Sequence, residues 1–329
     1  MGSTDWGCST MVSSRRTLIQ FLLVSVFFGG TFVAAKAGQA YVPPLLLVAL
    51  RFDIAAVLLL GYVVLTKPRG EWLPTTRGDI AGILAAGVFA IGLANGLLFV
   101  GQGSVSSGVG AILFALVPIF APLFAGVLLD DERLSTAGAV GTLVGLVGVG
   151  MVIDITPATV VETFGGGAMV VLMGAVSLAL GTVLIRQSSP TLSSTVRTAW
   201  ALPISGLLLH VLSLGVGESP ASAEWTLGAV VALAYLSVFA GAVAYILYFG
   251  LLDEIGATQT SLVFYVSPIF ATLGGWLLLG ESLTATTITG FGVVVVGFAI
   301  IGHESLAPVV RRIVVRSTGR QPWSDTHGN

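Results

Sequence analysis

Arg51 and Asp53 carry opposite charges inside one apolar stretch, residues 45–65. A charge at the centre of such a stretch costs about 2.5–3.5 kcal/mol to place in a bilayer, so each must have a use or a partner. Asp53 lies about 13 Å along the stretch at 1.5 Å per residue, close to the midplane. Its short side chain cannot reach an interface, and intramembrane acids face a water-filled cavity or a charged partner. We expect Asp53 to line a cavity and to carry a proton or hold a substrate amine; a bond to a neighbouring helix is the alternative. Arg51, about 10 Å deep, either reaches the same cavity or extends its long stem to the nearer interface. Two residues apart, they point to different helix faces and do not simply pair. Lys36, near the end of the preceding stretch, is a third candidate, with interfacial anchoring as its other reading.

Polar and aromatic residues near the middle of other stretches complete the candidate substrate cavity: Thr31, Asn95, Trp200, Tyr245, Tyr248, Gln259 and Tyr265. Aromatic walls with a few polar groups are what a small-molecule site needs. Pro118 and Pro268 sit mid-stretch, where each removes a backbone hydrogen bond and kinks its helix; both are hinge candidates. Glu132 and Glu281 fall at stretch ends, as solvated or capping groups. No catalytic constellation emerges. The single cysteine, Cys8, and the scattered His210, His303 and His327 offer no metal spacing, so no metal, cofactor or enzyme activity is expected, and nothing points to nucleic acid.

These residues must be positioned by membrane helices. With 55% hydrophobic and 9% charged residues and a mean hydropathy of +0.99, the chain is no ordinary soluble domain. Apolar stretches at 17–37, 45–65, 79–100, 107–129, 135–153, 167–186, 195–214, 226–252, 257–279 and 284–302 each approach the ~20 residues that span a bilayer. Turn residues and charges separate them, and Ser135 and Thr284 stand as matching N-caps. The expected fold is therefore an all-α integral membrane protein of ten transmembrane helices.

The second half repeats the first. Pro-Ile-Phe-Ala recurs at 118–121 and 268–271; Gly30-Thr31 matches Gly181-Thr182, and Asn95 matches Tyr245. Beyond Asp130 the spacing falls from 150 to 149, pairing Glu132 with Glu281, Gly141 with Gly290 and Gly148 with Gly297. Five helices per copy is an odd number, so the second copy enters the membrane from the opposite side. Inverted repeats of this kind frame alternating-access transporters, with the substrate at mid-membrane. The chain divides into a tail (1–16), two five-helix repeats (17–153 and 167–302) and a basic tail (303–329). With the N-terminus inside, twelve of the fourteen basic residues fall on the cytoplasmic side and only Lys36 and Arg51 on the other. That distribution places both termini in the cytoplasm, in a plasma membrane. Ser14-Arg15-Arg16-Thr17 and Ala35-Lys36-Ala37 together also read as a twin-arginine signal peptide, but cleavage would break the first repeat. The glycines at 141, 145, 148, 290, 292 and 297 offer close helix packing or a homodimer surface. The four arginines from 311 to 320 form a topology anchor or a lipid-binding cluster.

The run Phe28-Gly29-Gly30-Thr31-Phe32-Val33, then Lys36, Pro43-Pro44 and Leu50-Arg51-Phe52, resembles the opening of EamA-type members of the drug/metabolite transporter superfamily. Gly256-Ala257, Pro268, Leu279-Gly280-Glu281 and the glycine-rich last stretch resemble that family's close. The resemblance covers about residues 17–302 and implies two inverted five-helix repeats around a central cavity. It also implies export or exchange of small metabolites, such as amino acids or nucleosides; the sequence leaves open whether protons, a counter-substrate or a plain gradient drive it. Gly29, where the family often has tryptophan, and Asp53, where it is usually apolar, depart from the pattern. A membrane enzyme, which would need converging acids or histidines, and a passive scaffold or channel subunit are the competing classes.

Overall fold

The structure, a computed structural model, describes residues 6–129, 136–152, 166–255, 260, 262–282 and 284–301, and every element among them is helical. α1 spans Trp6–Gln39, α2 Pro44–Thr66, α3 Arg77–Gln102, α4 Ser107–Leu128 and α5 Thr136–Val152. α6 spans Gly167–Gln187, α7 Ser194–Gly215, α8 residues 227–255, α9 Val263–Leu279 and α10 Ala285–Ile301. Among the described residues, seven helices (α1–α4 and α6–α8) are long and apolar enough to cross a membrane, while α9 and α10 are shorter apolar helices. Large apolar side chains such as Val57, Leu65, Leu207 and Leu278 face outward, while Phe52, Leu59, Phe99 and Leu202 are buried within the bundle.

Local chemistry sets the helix starts. Thr76 caps α3 and receives a reciprocal bond through Asp79, while Ser106, Ser193 and Thr226 cap α4, α7 and α8. Each side-chain oxygen accepts an N–H that the helix itself cannot satisfy. Thr284 does the same for Thr287 N at 3.1 Å. α1 begins earlier than expected, its helix continuing back to Trp6 ahead of the apolar part that starts at Arg16.

α3 and α8 share an unusual interior. Each opens with a short α-helical segment, passes through nine π-helical residues (Ala85–Leu93 and Tyr235–Val243) and returns to α-helix. The matching segments start 150 residues apart, as do α2 and α7. α5 and α10 start 149 apart, the same spacing as the repeated motifs. Packing follows one pattern: α1 lies against α8 and α9, α6 against α3 and α4, α2 against α7, and α5 against α10.

The α5–α10 contact is made by backbone. A Cβ on Gly148 would come within 2.7 Å of Val294 N and 2.8 Å of Gly290 O. Reciprocally, a Cβ on Gly297 would meet Gly145 N at 2.6 Å and Gly141 O at 2.7 Å. Of the glycines that the sequence offered for packing or a dimer, Gly141, Gly145, Gly148, Gly290 and Gly297 are thus occupied within the chain, whereas a Cβ on Gly292 would meet open space.

The continuous-helix expectation fails at α4. Its helix breaks at Ala115–Leu116 and resumes at Val117, with Pro118 in the first turn of the new segment. A first-turn proline needs no N–H partner, so Pro118 starts a helix instead of kinking one. Pro268 does lie inside α9, buried.

Helix ends gather at two poles. One holds Lys36, Ser107, Glu218 and Glu281; the other holds Asp79, Thr191 and the Gln187–Leu128 bond. Gly297→Ala is expected to lower the thermal midpoint of the purified protein, because overpacking a close contact costs about 1–3 kcal/mol. Gly150→Ala, which meets open space, should raise it or leave it unchanged. Equal effects of the two changes in a thermal-unfolding assay would rule out the tight α5–α10 seam.

Candidate functional site

A cavity of about 480 Å³ lies between the helices, lined from both halves of the chain. Its deepest charged group is Arg51, held by α2 and only 2% exposed. Arg51 Nη1 donates to Asn95 Oδ1 at 3.4 Å, and its guanidinium lies 4.9 Å from the Phe52 ring centroid and 5.8 Å from that of Phe99. Such ring faces attract a cation but add no negative charge. Arg51 Nε is buried with no hydrogen-bond acceptor. Asn95 is held in place by its own amide, which donates to Ile91 O at 2.9 Å within the π-helical part of α3.

One wall is aromatic. Phe28 of α1 stacks on Phe264 of α9 with ring centroids 6.0 Å apart at 11°, and meets Tyr245 of α8 edge-on at 5.8 Å. Tyr248 packs against Phe28, Phe249 and Phe264. Thr31, Thr182, Ser194, Thr198 and Ser267 add hydroxyls to the lining; Thr31, Thr182 and Ser267 each donate the hydroxyl proton to a carbonyl of their own helix, on Phe27, Ala179 and Val263. The cavity runs from the level of Arg51 and Asn95 to Ile185, Ser194 and Arg197, at the Asp79 pole. Arg197 is half-buried and donates to Ser194 Oγ at 3.2 Å.

At the opposite pole the helices are tied together. Lys36 Nζ sits 2.8 Å from Glu281 Oε1 and donates to Val105 O at 2.9 Å. Glu281 Oε2 accepts Ser107 N, at the start of α4, at 2.9 Å. The carboxylate is 11% exposed and joins the ends of α1, α4 and α9.

Thr31, Arg51, Asn95, Tyr245 and Tyr248 therefore line the cavity, and four other candidates, Lys36, Trp200, Tyr265 and Asp53, do not. Lys36 is spent on Glu281, and Glu281 takes the capping role of its two expected ones, accepting Ser107 N at the start of α4. Trp200 donates its indole N–H to Trp72 O at 2.6 Å, pinning the connection between α2 and α3. Tyr265 is buried in α9 and is not among the lining residues, although Phe264 beside it is. Asp53 points to the other side of α2 and pairs with His210 Nε2 of α7 at 2.7 Å, with the side chains 46% and 36% exposed. The helix-to-helix bond is the alternative that this geometry supports. Gln259 and Glu132 lie outside the described residues, as does the basic tail. Arg197 and Phe28 were not among the expected lining residues: Arg197 had been counted as a topology charge, and nothing in the periodicity singled out Phe28.

The helices define a multi-span membrane protein with a central cavity. Residues 15–153 and 165–302 each match the EamA-like transporter family, and the chain belongs to that family. It is 26% identical over 288 residues to an uncharacterized transporter of Archaeoglobus fulgidus, covering 86% of this chain and 97% of the relative. The uncharacterized inner membrane transporter YedA of Escherichia coli is 28% identical over 279 residues, with 84% of this chain and 86% of that protein covered. A WAT1-related chloroplastic protein of Arabidopsis thaliana is 27% identical over 290 residues, covering 85% and 68% of the two chains. A solved crystal structure aligns with TM-score 0.60 and 19% identity over 87% of this chain and 96% of the other, showing a shared fold.

The Asp53–His210 pair gives a direct test. Polar pairs between membrane helices average about 0.6 kcal/mol and reach about 1.7. Asp53→Asn, His210→Gln and the double variant should show a coupling of that size by thermal unfolding, with substrate flux per folded molecule close to wild type. A strong loss of flux in folded Asp53→Asn would return Asp53 to the site.

Proposed function

We propose that the protein moves a small metabolite across the plasma membrane by alternating access, as an exporter or exchanger. Two inverted repeats of five helices, 17–153 and 167–302, form the two halves. The observation that carries this reading is the cavity: lined from both halves, extended to one pole and tied shut at the other by Lys36, Glu281 and Ser107. A passive scaffold has no use for a mid-depth cavity reached from one side. The matching spacing of α2 with α7, α3 with α8 and α5 with α10, together with the two family matches, supports the repeat.

Basic residues set the orientation. Arg77, Arg186 and Arg197 lie at the Asp79 pole, so that pole is cytoplasmic and the cavity opens inward. Both termini are cytoplasmic in this arrangement. Reporter fusions should place the termini and the 66–78 connection inside and the 154–166 connection outside. Termini on opposite sides would overturn the inverted arrangement.

Lys36–Glu281 is the outer tie in this mechanism, and the break at Ala115–Leu116, which borders the cavity, lets the two segments of α4 move separately. Pro268, inside α9, is the second hinge. With Cys8 replaced by serine the chain has no cysteine, so Thr31→Cys reports the cavity alone. A membrane-impermeant thiol reagent should label it from the cytoplasmic side, and Glu281→Gln should raise labelling from the outside several-fold. Outside labelling that ignores Glu281→Gln would remove the tie from the cycle.

A further inference from the structure

The charge of the cavity names its substrate. Among the described residues, Arg51 and Arg197 are the only lining side chains that are charged near neutral pH, and both are positive. Arg51 has one weak neutral acceptor, Asn95 Oδ1 at 3.4 Å, and an unsatisfied Nε. Among the described residues, neither arginine forms a salt bridge. Asp79 lies within electrostatic reach of Arg197, but its oxygens already accept from Thr75 N, Thr76 N, Thr191 N, Thr191 Oγ1 and Leu192 N. A guanidinium held almost fully out of water with so few acceptors is under-compensated, and its planar fork matches a carboxylate or phosphate bidentately.

We infer that the cavity takes a small amphipathic organic anion, its carboxylate or phosphate on Arg51 and its apolar, preferably aromatic, body against Phe28, Tyr245, Tyr248 and Phe264. The assignment rests on the cavity being the transport site and makes that reading more specific. An ammonium would meet like charge here, since among the described residues no carboxylate lines the walls. The hydroxyls of Thr31, Thr182 and Ser267 have given their protons to backbone. Donors for an anion therefore come from the guanidinium groups and the two phenols, with the hydroxyls of Ser194 and Thr198 also on the wall. Arg197, at the cytoplasmic end, attracts the same anion to the mouth and sets the entry rate.

The test uses compounds of one body and different charge with the purified full-length chain: benzoate, phenyl phosphate, benzyl alcohol, benzylamine and L-phenylalanine. Benzoate or phenyl phosphate should raise the thermal midpoint, and benzylamine should not. Arg51→Gln should weaken binding of the stabilising anion about tenfold or more, the scale of a hydrogen bond to a charged group. Arg51→Lys should recover part of it, keeping the charge and losing the fork. If Arg51→Gln does not fold, Arg197→Gln with a salt titration takes its place, and anion binding should become less salt-sensitive. Stabilisation by benzylamine or L-phenylalanine equal to that by benzoate would overturn the assignment. So would no response to either anion, or unchanged anion binding in the folded Arg51 and Arg197 variants. Counterflow in proteoliposomes separates the two claims. Anion binding without flux would overturn transport and leave the anion site, whereas flux of an amine without anion binding would do the reverse.

Discussion

Close approach of backbones between the two halves is the constraint on which the rest of this bundle depends. In a bilayer, lipid tails are as apolar as leucine, so helices associate through van der Waals packing and polar contacts. This chain uses glycine for that purpose at each major seam. Gly148 and Gly297 bring α5 against α10, Gly181 brings α6 against Ala90 of α3, and Gly29 brings α1 against Ser267 O of α9. A Cβ on Gly29 would meet that oxygen at 2.5 Å. No tryptophan, the residue expected there from the resemblance, fits such a contact without moving the helices. With the seams fixed by small residues, large aromatics can project from α1, α8 and α9 into the space left between the halves.

Three acids, Asp79, Glu218 and Glu281, are the second element of the design, and they are spent on helix ends. Asp79 accepts the N–H groups that precede α7, Glu218 those of Leu45 and Leu46 at the start of α2, and Glu281 that of Ser107 in α4. The N-terminus of a helix carries partial positive charge and unsatisfied donors, so a carboxylate placed there is both satisfied and fixed. The cavity is left with arginines and neutral groups. Its positive character is thus a by-product of where the acids were needed.

This division explains what the sequence revealed and what it hid. Helix positions, the repeat spacing and the polar stripe of Thr31, Asn95, Tyr245 and Tyr248 follow from hydropathy and self-alignment, which act over long windows. Arg51 and Asp53 show the limit. Their spacing says that they face different ways, but only the packing of α7 against α2 says which faces inward. Asp53 was the more attractive candidate because a short acid cannot snorkel, yet His210, far away in sequence, supplies its partner. Long-range partners also removed Lys36 and Trp200 from the site. The break in α4 escaped notice because Ala115 and Leu116 are ordinary helix formers, and the π-helical stretches leave no compositional mark.

Matching positions 150 residues apart show how a repeated frame becomes a specific site. Asn95 and Tyr245, Phe114 and Phe264, and Val117 and Ser267 are such pairs, and all of them line the cavity; Thr31 and Thr182 do so at a spacing of 151. The cavity therefore sits where the two copies face each other. The position matching Arg51 is Ala201, and the position matching Arg197 is Leu47, so each charge comes from one copy only. Repetition supplies the walls, and departure from repetition supplies the charge. A duplicated guanidinium at both matching positions would crowd two like charges into a dry space, at a cost that rises as the local dielectric falls. One arginine at depth and one at the mouth instead give an anion a graded path.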